Sequence, residues 1–259
     1  MTTEQYQGAS YSGEARQITI DHARDALLTD FGKATLTDRY LQKDETFQGM
    51  FARVAVTYSE SDDHAQRLYD YMSQLWFMPA TPVLSNAGTK RGLPISCFLN
   101  SAEDTLDSII NVWTESDWLA ARGGGIGTCW SKVRSIGEPV GDVGQTSGVI
   151  PFIRVQDANT LAISQGSLRR GSSAAYLDIS HPEIEEFLEI RKPSGDANRK
   201  ALNIHHGVTI PDDFMYAVKH DDQWDLISPK TGNVVKSVSA RALWEKILRM
   251  RIQTGEPYI

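Results

Sequence analysis

The residues Pro79-Ala80-Thr81-Pro82-Val83-Leu84-Ser85-Asn86-Ala87-Gly88-Thr89, followed by Pro94-Ile95-Ser96-Cys97-Phe98-Leu99, form the stretch around which the chain is organised. The prolines, hydroxyl side chains and glycine predict a loop for residues 79–89, and the second run predicts a short buried strand that carries a thiol. Such an arrangement can hold a polar ligand against a reactive sulfur. The alternative is that Cys97 is a small buried hydrophobic residue.

Composition limits the classes of function. The chain has 259 residues, 41% hydrophobic and 23% charged, enough for one large domain or two small ones. The net charge of −7 argues against a general nucleic-acid or anionic-membrane binder. No apolar run approaches the roughly 20 residues that cross a bilayer, and the N-terminus has no apolar signal segment. We therefore predict a cytoplasmic protein without nucleic-acid or membrane partners.

The cysteines and histidines do not indicate a metal site. Two cysteines are too few for a secreted disulfide scaffold, and no Cys/His spacing resembles that of a zinc site. His205 and His206 are adjacent in a predicted strand, so their side chains are expected on opposite faces. We predict that this chain binds no metal through its side chains.

The first 75 residues predict a mostly helical region. Residues 1–15 are polar and predict a loose arm. Apolar residues at helical spacing predict helices over 21–31 and 47–55. Ser61 is a suitable N-cap for a third helix, whose apolar stripe is Leu68, Met72, Leu75 and Trp76.

Residues 76–259 predict an α/β domain. Helices are expected at 104–122, 151–164, after Ser180, after Pro211 and from Ser239 to Gly255, and strands at 128–134, 174–177 and 202–210, with a hairpin at 223–238. Strands that alternate with helices indicate a largely parallel sheet. Three successive glycines at 123–125 leave room for a ligand to approach the backbone. The final residues 256–259 resemble the start of another strand, so we expect the fold to be completed by another polypeptide.

A series of motifs resembles the large catalytic subunit of class I ribonucleotide reductase. The motifs occur in the family's order from about residue 20 to the end, and they are Pro79-Ala80-Thr81-Pro82, Asn86-Ala87-Gly88-Thr89, Ser96-Cys97-Phe98-Leu99, Gly124-Gly125-Ile126-Gly127, Gln165-Gly166 with Arg169-Arg170-Gly171, and His181-Pro182-Glu183-Ile184. Each motif alone is weak, but the ordered set is specific.

The resemblance implies the fold and the chemistry. This chain would supply a helical N-terminal region and the first half of a ten-stranded α/β barrel. Cys97 matches a cysteine that, with a second cysteine, supplies two reducing equivalents and ends as a disulfide. Thr81 and Ser96 match residues that hold the substrate's phosphates and ribose, and Gly125 matches a backbone contact to the nucleotide. Cys129 lies at a position that the family does not use and is predicted to belong to the core.

The resemblance also implies an allosteric site. Asp104, Thr105 and Arg134 match residues that bind a deoxynucleoside triphosphate at a dimer interface. The alternative for Asp104 and Arg134 is a helix-start carboxylate and a solvated charge at a strand end. Residues 135–148 and 165–173 match two loops that carry effector identity to the substrate, with Gln165 and Arg169 as the expected carriers.

Partners and cofactors follow from the same resemblance. They are a C-terminal half of the large subunit that carries the thiyl-radical cysteine, a small subunit with a dinuclear metal and radical cofactor, thioredoxin or glutaredoxin as reductant, and deoxynucleoside triphosphate or ATP effectors with Mg²⁺. The family's N-terminal ATP-binding cone is not recognisable, and the chain alone is expected to be inactive. Two alternatives stay open: an inactive nucleotide-binding or regulatory protein of the same fold, and an adenosylcobalamin-dependent reductase.

Overall fold

The computed structural model describes residues 2–90, 92–142, 144–163 and 171–259. The chain divides into two compact units, residues 1–96 and residues 97–259. Each unit has its own cluster of buried apolar side chains.

The first unit begins with an antiparallel hairpin of β1 (Thr3–Ala9) and β2 (Ala15–Asp21). The predicted loose arm over residues 1–15 is therefore wrong. Ile18 and Ile20 alternate along β2 and are buried in the core of the unit, so the hairpin is fixed by its apolar face. The side chain of Gln66 also accepts a hydrogen bond from the backbone N–H of Thr19 at 2.8 Å.

The rest of this unit, as far as its residues are described, contains four α-helices and one 3-10 helix. They are a 3-10 helix at His22–Leu27, α1 (Asp30–Arg39), α2 (Phe47–Thr57), α3 (Asp62–Ser73) and α4 (Thr81–Asn86). The prediction of a helix capped by Ser61 is confirmed, because its side chain accepts from the backbone N–H of His64. The predicted stripe is wrong at its end: α3 stops at Ser73, and Trp76 is 71% exposed.

Residues 79–89 were predicted as a loop, but the middle of this stretch is the short helix α4. Pro82 lies in its first turn, where the missing N–H costs no helical hydrogen bond. The side chain of Ser85 donates to the carbonyl of Thr81 at 2.8 Å. Pro82 therefore marks the start of a helix and does not indicate a loop.

The second unit is built on a parallel sheet with the strand order β3-β4-β7-β8. These strands are β3 (Cys97–Ser101), β4 (Gly125–Cys129), β7 (Ser172–Asp178) and β8 (His205–Thr209). Tyr258 forms a parallel bridge to Gly207, beside β8. The prediction of a helical region followed by a parallel α/β region is confirmed, and over the described residues the sheet is open rather than closed into a barrel.

The described residues of this unit also contain helices and two small antiparallel strand pairs. The helices are α5 (Leu106–Ala121), α6 (Ile150–Ala162), α7 (Ile184–Phe187), a 3-10 helix at Ala197–Arg199, α8 (Asp212–His220) and α9 (Ala240–Thr254). The small pairs are β5 (Pro139–Val140) with β6 (Gly144–Gln145), and β9 (Gln223–Ile227) with β10 (Val234–Ser239). The predicted hairpin at 223–238 is confirmed, as are the Ser239 cap and the Gly255 stop of the last helix.

Two local predictions in this unit need correction. The strand expected at 128–134 starts earlier, at Gly125, and ends at Cys129. The helix expected after Ser180 is a single turn that begins at Ile184, and Ser180 does not cap it. In the described part of the chain, no helix combines the length and the apolar character needed to span a membrane.

Candidate active site and regulatory site

Cys97 is the first residue of β3 and lies on the sheet face opposite α5. Asn100 of the same strand lies on the opposite face, since its side chain donates to Ser116 of α5 at 3.2 Å. Because side chains alternate along a strand, Cys97 and Leu99 lie on the other face. Leu99 is 83% exposed and Cys97 is exposed as well. The alternative of a buried, inert Cys97 is therefore wrong.

The residue opposite Cys97 on the neighbouring strand is Gly125. Neighbouring strands lie about 4.8 Å apart, so the thiol stands beside a backbone that has no side chain. A ligand on this face can reach the sulfur and the backbone of Gly125 together. The structure thus brings together two of the residues that the sequence singled out.

The glycine run before β4 is also required by packing within the protein. A Cβ atom at Gly124 would lie 2.7 Å from the ring of Phe98 and 3.0 Å from the carbonyl oxygen of Leu119. The bare backbone at Gly124 therefore lets β3 and α5 approach β4 closely. Of the three glycines, Gly124 therefore has a role in the packing of the fold.

Cys129 lies at the far end of β4, opposite Ser101. It is four residues along the sheet from the Cys97–Gly125 pair, a distance on the order of 13 Å. A disulfide needs Cα atoms within about 7 Å, so these two cysteines cannot pair in this fold. Cys129 is partly buried, and its sulfur lies 3.4 Å from the hydroxyl of Ser131.

Thr81 and Ser96, the predicted substrate-binding hydroxyls, both belong to the first unit. Thr81 is the first residue of α4, is exposed, and lies 3.0 Å from the phenol oxygen of Tyr40 through its Oγ1. Ser96 is half-buried. Their roles stay predictions.

Asp104 and Arg134 form a two-pronged ion pair in the second unit. The Nε of Arg134 donates to both carboxylate oxygens of Asp104 at 2.9 and 2.8 Å, and the backbone N–H of Arg134 donates to the same carboxylate at 3.0 Å. The hydrogen bond to Asp104 raises the pKa of Arg134 above its usual value. The structure therefore joins these two residues, whereas the alternative kept them as separate solvated charges.

A cavity of about 170 Å³ lies against this ion pair. Its walls include Thr105, Ile109 and Phe152. The hydroxyl of Thr105 accepts from the backbone N–H of Ser108 at 3.2 Å and so caps α5. The cavity has one charged edge and one apolar wall, a combination suited to a ligand with a polar and a flat apolar part.

The loop 135–148 is closed at its base by Glu183, a role that sequence reasoning missed. One carboxylate oxygen of Glu183 accepts from the backbone N–H of Ile136 at 3.0 Å and of Val149 at 2.9 Å. The other oxygen receives the guanidinium of Arg199 at 3.0 Å. In the sequence, Glu183 stands out only as part of the His181-Pro182-Glu183-Ile184 motif, which gives no sign of a partner so far away along the chain.

Burial dominates the electrostatics of Glu183. Desolvation raises the pKa of this carboxyl, and the hydrogen bonds from Val149 and Ile136 and the charge of Arg199 oppose that rise. Arg199 also donates to the carbonyl of Ser147 at 2.9 Å. Both ends of the loop are therefore tied to one ion pair, of buried Glu183 and partly buried Arg199.

The other predicted coupling residues, Gln165 and Arg169, lie outside the described residues. The helix before them ends at Ala162 and the strand after them begins at Ser172.

A buried polar network lies under the sheet and was also missed. The amide of Gln156 on α6 accepts from the indole N–H of Trp130 at 2.8 Å and donates to the hydroxyl of Thr128 at 3.0 Å. Thr128 in turn donates to Asn100 of β3 at 2.8 Å. The network joins α6 to the strand that begins with Cys97, and a lone glutamine in a helix gives no sequence signal for it.

His205 and His206 meet at one carboxylate. Their Nδ1 atoms contact the two oxygens of Glu256, at 2.9 Å for the buried His206, and the guanidinium of Arg191 lies 3.0 Å from the same group. The two rings differ in exposure, as expected for opposite faces. Both reach Glu256 because the segment 256–258 runs beside β8. Among the described residues, no group of three or more His, Cys, Asp or Glu side chains is arranged to hold a metal ion.

The fold and the candidate site together indicate the class of protein. A helical unit precedes a parallel α/β unit that carries an exposed thiol on the sheet face opposite α5. Residues 26–92 match the family described as "Ribonucleotide reductase, all-alpha domain", and residues 95–259 match "Ribonucleotide reductase, barrel domain". The chain belongs to the ribonucleotide reductase large-subunit family.

Individual relatives agree with this assignment. The chain is 47% identical to a putative ribonucleoside-diphosphate reductase large subunit of Frog virus 3, over 75% of this chain and 33% of that protein. It is 39% identical to the ribonucleoside-diphosphate reductase large subunit of Invertebrate iridescent virus 3, over 93% of this chain and 46% of that protein. It is 32% identical to the ribonucleoside-diphosphate reductase subunit alpha of Chlamydia muridarum, over 95% of this chain and 27% of that protein. The chain thus spans between a quarter and a half of these relatives.

A solved structure supports the fold. The class Id ribonucleotide reductase alpha subunit of Actinobacillus ureae is similar with a TM-score of 0.70 and 26% identity. The match covers 89% of this chain and 39% of that one.

Proposed function

We propose that this chain forms part of a ribonucleoside-diphosphate reductase, which converts ribonucleotides to deoxyribonucleotides by radical chemistry. The observation that carries the proposal is the exposed Cys97 beside Gly125, on the sheet face opposite α5. The family assignment supplies the reaction.

Cys97 acts as one of two thiols that reduce the substrate. The two thiols give up two electrons and two protons and become a disulfide, while the 2′-hydroxyl of the ribose leaves as water and a hydrogen takes its place. The distance between Cys97 and Cys129 excludes Cys129 as the second thiol. The partner thiol, and the cysteine that carries the thiyl radical, come from further polypeptide that forms the other half of the barrel.

Substrate is held by Thr81, Ser96 and Gly125 in this proposal. Hydroxyls and a bare backbone N–H can donate to phosphate and ribose oxygens at close range. The exposed position of Thr81 at the start of α4 supports this role.

Asp104, Thr105 and Arg134 bind a deoxynucleoside triphosphate effector. The cavity of about 170 Å³ beside them is smaller than a whole nucleotide. It can hold a base or ribose, and the phosphates extend toward Arg134 and a second copy of the subunit. The loop 135–148 and residues Gln165 and Arg169 then transmit effector identity to the substrate.

The complete system needs partners. They are a radical-generating small subunit with a dinuclear metal cofactor, the polypeptide that carries the radical cysteine, thioredoxin or glutaredoxin as reductant, and Mg²⁺ with the nucleotides. We place this system in the cytoplasm.

The test is formation of deoxycytidine diphosphate from cytidine diphosphate, with dithiothreitol and an effector. The chain is combined with small subunit, in the presence and in the absence of the polypeptide that carries the radical cysteine. We expect turnover only in the complete mixture. Cys97→Ser should abolish it, and the matched variant Cys129→Ser should retain it. No turnover with effector binding intact would contradict the reductase proposal and leave a nucleotide-binding protein.

A further inference from the structure

Two cationic side chains converge on the carbonyl oxygen of Pro139, at the start of β5. The Nη1 of Arg134 donates to this oxygen at 2.6 Å, and the Nζ of Lys230 donates to it at 3.0 Å. The two nitrogens are therefore at most about 5.6 Å apart, the sum of these distances. Lys230 lies 91 residues beyond Pro139, in the turn between β9 and β10. The fold thus brings a lysine from a distant hairpin to the arginine of the proposed effector site.

The oxygen between these two cations belongs to a neutral peptide group. Like charges this close repel each other, and the carbonyl of Pro139 offers only a partial negative charge against that repulsion. A phosphate oxygen carries more negative charge and accepts shorter and stronger hydrogen bonds from lysine and arginine. The position of the Pro139 carbonyl oxygen is therefore one at which an anionic oxygen would be bound more tightly than a neutral one.

The turn that carries Lys230 is held by its own hydrogen bonds. The backbone N–H of Ser228 donates to the carbonyl of Asn233 at 2.9 Å, and the N–H of Gly232 donates to the carbonyl of Ser228 at 2.9 Å. The hydroxyl of Ser228 donates to the carboxylate of Glu138. Ser228 is buried, whereas Lys230 is exposed. The backbone of the turn is thus fixed before a ligand arrives, and the long side chain of Lys230 can adjust to it.

The ion pair with Asp104 leaves one edge of Arg134 directed at this oxygen. The Nε of Arg134 donates to the carboxylate of Asp104, and its Nη2 donates to the Asp104 backbone carbonyl at 3.3 Å. A phosphate oxygen that replaced the carbonyl oxygen of Pro139 at Nη1 would leave both of these contacts in place. Arg134 and Val140, the residue after Pro139, also border the cavity of about 170 Å³. A ligand with its flat part in the cavity therefore has its polar part near Nη1.

One carboxylate opposes an anion at this place. The pKa of Arg134 is raised first by the hydrogen bond to Asp104, and the charge of the nearby Glu138 adds to that rise. The same charge of Glu138 repels a phosphate that is bound at Arg134. Removal of the Glu138 charge is therefore expected to strengthen phosphate binding, whereas removal of the Lys230 charge is expected to weaken it.

We propose that Lys230 is a second cationic ligand of the effector's phosphates, beside Arg134. In the complex, a phosphate oxygen lies between the two nitrogens where the carbonyl oxygen of Pro139 lies now. This assignment rests on the proposed function, in which Asp104, Thr105 and Arg134 hold a deoxynucleoside triphosphate. It adds the turn between β9 and β10 to that site, so effector binding and the position of this hairpin become coupled.

The test is equilibrium binding of deoxythymidine triphosphate with Mg²⁺ to the full chain, measured by calorimetry at low and at high salt. Lys230→Met keeps the apolar stem and removes the charge, and it should raise the Kd at least about tenfold, as expected for one charge-assisted hydrogen bond. Lys230→Arg keeps the charge and should stay within about threefold of the parent. The difference between the parent and Lys230→Met should shrink at high salt, because salt screens exposed charges.

Two further variants separate the charge of Lys230 from the stability of the hairpin. Lys236→Met is the matched control: Lys236 lies on β10 of the same hairpin, is 58% exposed and contacts Glu185 at 2.8 Å. It should bind the triphosphate as the parent does. Glu138→Gln keeps an acceptor for Ser228 but removes the repulsion, and it should lower the Kd. A role of this contact in hairpin stability alone predicts the opposite direction for Glu138→Gln.

The outcomes separate this inference from the proposed function. If the parent binds the triphosphate and Lys230→Met binds it equally well, Lys230 is not a phosphate ligand and the proposed effector site stands. If Lys230→Met and Lys236→Met weaken binding by the same factor, a general charge effect replaces the specific contact, and the inference is wrong. If the parent shows no saturable binding up to about 10 mM, beyond ordinary metabolite affinities, the proposed effector site itself is wrong and the assignment of Lys230 falls with it.

Discussion

The carboxylate of Glu183 accepts a hydrogen bond from the backbone N–H of Val149, 2.9 Å away, and thereby fixes the end of the loop 135–148. The same oxygen also accepts from Ile136 at the start of the loop. A single buried atom thus sets the separation of the two loop ends. Under the proposed function this loop links effector and substrate, so Glu183 limits its motion to the residues between the two anchor points.

Gly148 is the position at which this arrangement tolerates no side chain. Its φ is +87°, and a Cβ atom there would lie 2.3 and 2.4 Å from the oxygens of Glu183. We expect Gly148→Ala to lower the free energy of unfolding by about 2–5 kcal/mol, the sum of two effects. The left-handed backbone contributes about 1–2 kcal/mol, and displacement of a hydrogen-bonded buried carboxylate contributes about 1–3 kcal/mol. Urea unfolding followed by circular dichroism measures this loss in the free energy of unfolding.

Gly137 provides the matched control in the same loop. Its φ is +85°, but a Cβ atom there would have no neighbour within 4 Å. Gly137→Ala should therefore cost only the backbone term of about 1–2 kcal/mol. Equal losses in the two variants would show that Glu183 does not constrain Gly148.

The ion pair of Asp104 and Arg134 makes a second prediction. Their side chains are 24% and 19% exposed, so the pair is only partly screened by solvent. Asp104→Asn removes the charge that holds the guanidinium and should lower the free energy of unfolding by about 1–2 kcal/mol. Asp142→Asn, in the exposed part of the nearby loop, should change it by less than about 0.5 kcal/mol.

Effector affinity adds a readout that stability alone does not provide. Under the proposed function, Asp104→Asn should weaken deoxynucleoside triphosphate binding, whereas Asp142→Asn should not. Binding is measured by calorimetry at a temperature where both variants are folded. Unchanged affinity in Asp104→Asn would remove Asp104 from the effector site.

The two cysteines should differ in their reaction with a thiol reagent. Cys97 is exposed, whereas Cys129 is partly buried. Labelling of the folded chain with Ellman's reagent should show a fast and a slow phase of equal amplitude, because access limits the reaction. Cys97→Ser should remove the fast phase and Cys129→Ser the slow one. The reverse assignment would contradict the placement of Cys97.

Much of the fold was readable from local signals in the sequence. Ser61 and Ser239 are N-caps that accept from the backbone, and Gly255 ends α9 in the left-handed conformation. These signals act within one turn of a helix, so they do not depend on the rest of the chain. The hairpin of β1 and β2 was missed because its order comes from burial of Ile18 and Ile20 against helices farther along the chain.

Residues of the candidate site could be predicted from the sequence only where they belong to a motif that resembles the family. Cys97, Gly125, Asp104 and Arg134 were singled out by resemblance, and the structure places them as two pairs. Glu183 was quoted within a motif, but its partners lie 34 and 47 residues away. Contacts at that separation depend on tertiary packing, which periodicity and spacing do not encode.

The carboxylate shared by His205 and His206 makes the last prediction, a pH-dependent stability. Burial by itself raises the pKa of Glu256, but hydrogen bonds from His206 and His205 and the charge of Arg191 outweigh it and lower the pKa from 4.5 to about 2. A carboxyl whose pKa is lower in the folded chain stabilises the fold at pH values above its pKa in the unfolded chain. This contribution is lost as the pH falls from about 4.5 toward 2. It amounts to something on the order of 3 kcal/mol.

Glu256→Gln should therefore be less stable than the parent by a few kcal/mol at pH 7, and the difference between the two should shrink as pH falls below about 4.5. Urea unfolding of both proteins at pH 7, 5 and 3.5 measures that difference. Acid destabilisation common to the parent and the variant cancels, because the two are compared at the same pH. Glu245→Gln, at an exposed position on α9, is the control and should follow the parent at each pH. A difference that stays constant across the series would mean that Glu256 is ionised no more readily in the folded chain than in the unfolded one, and that its contacts with the two histidines do not favour the charged carboxylate.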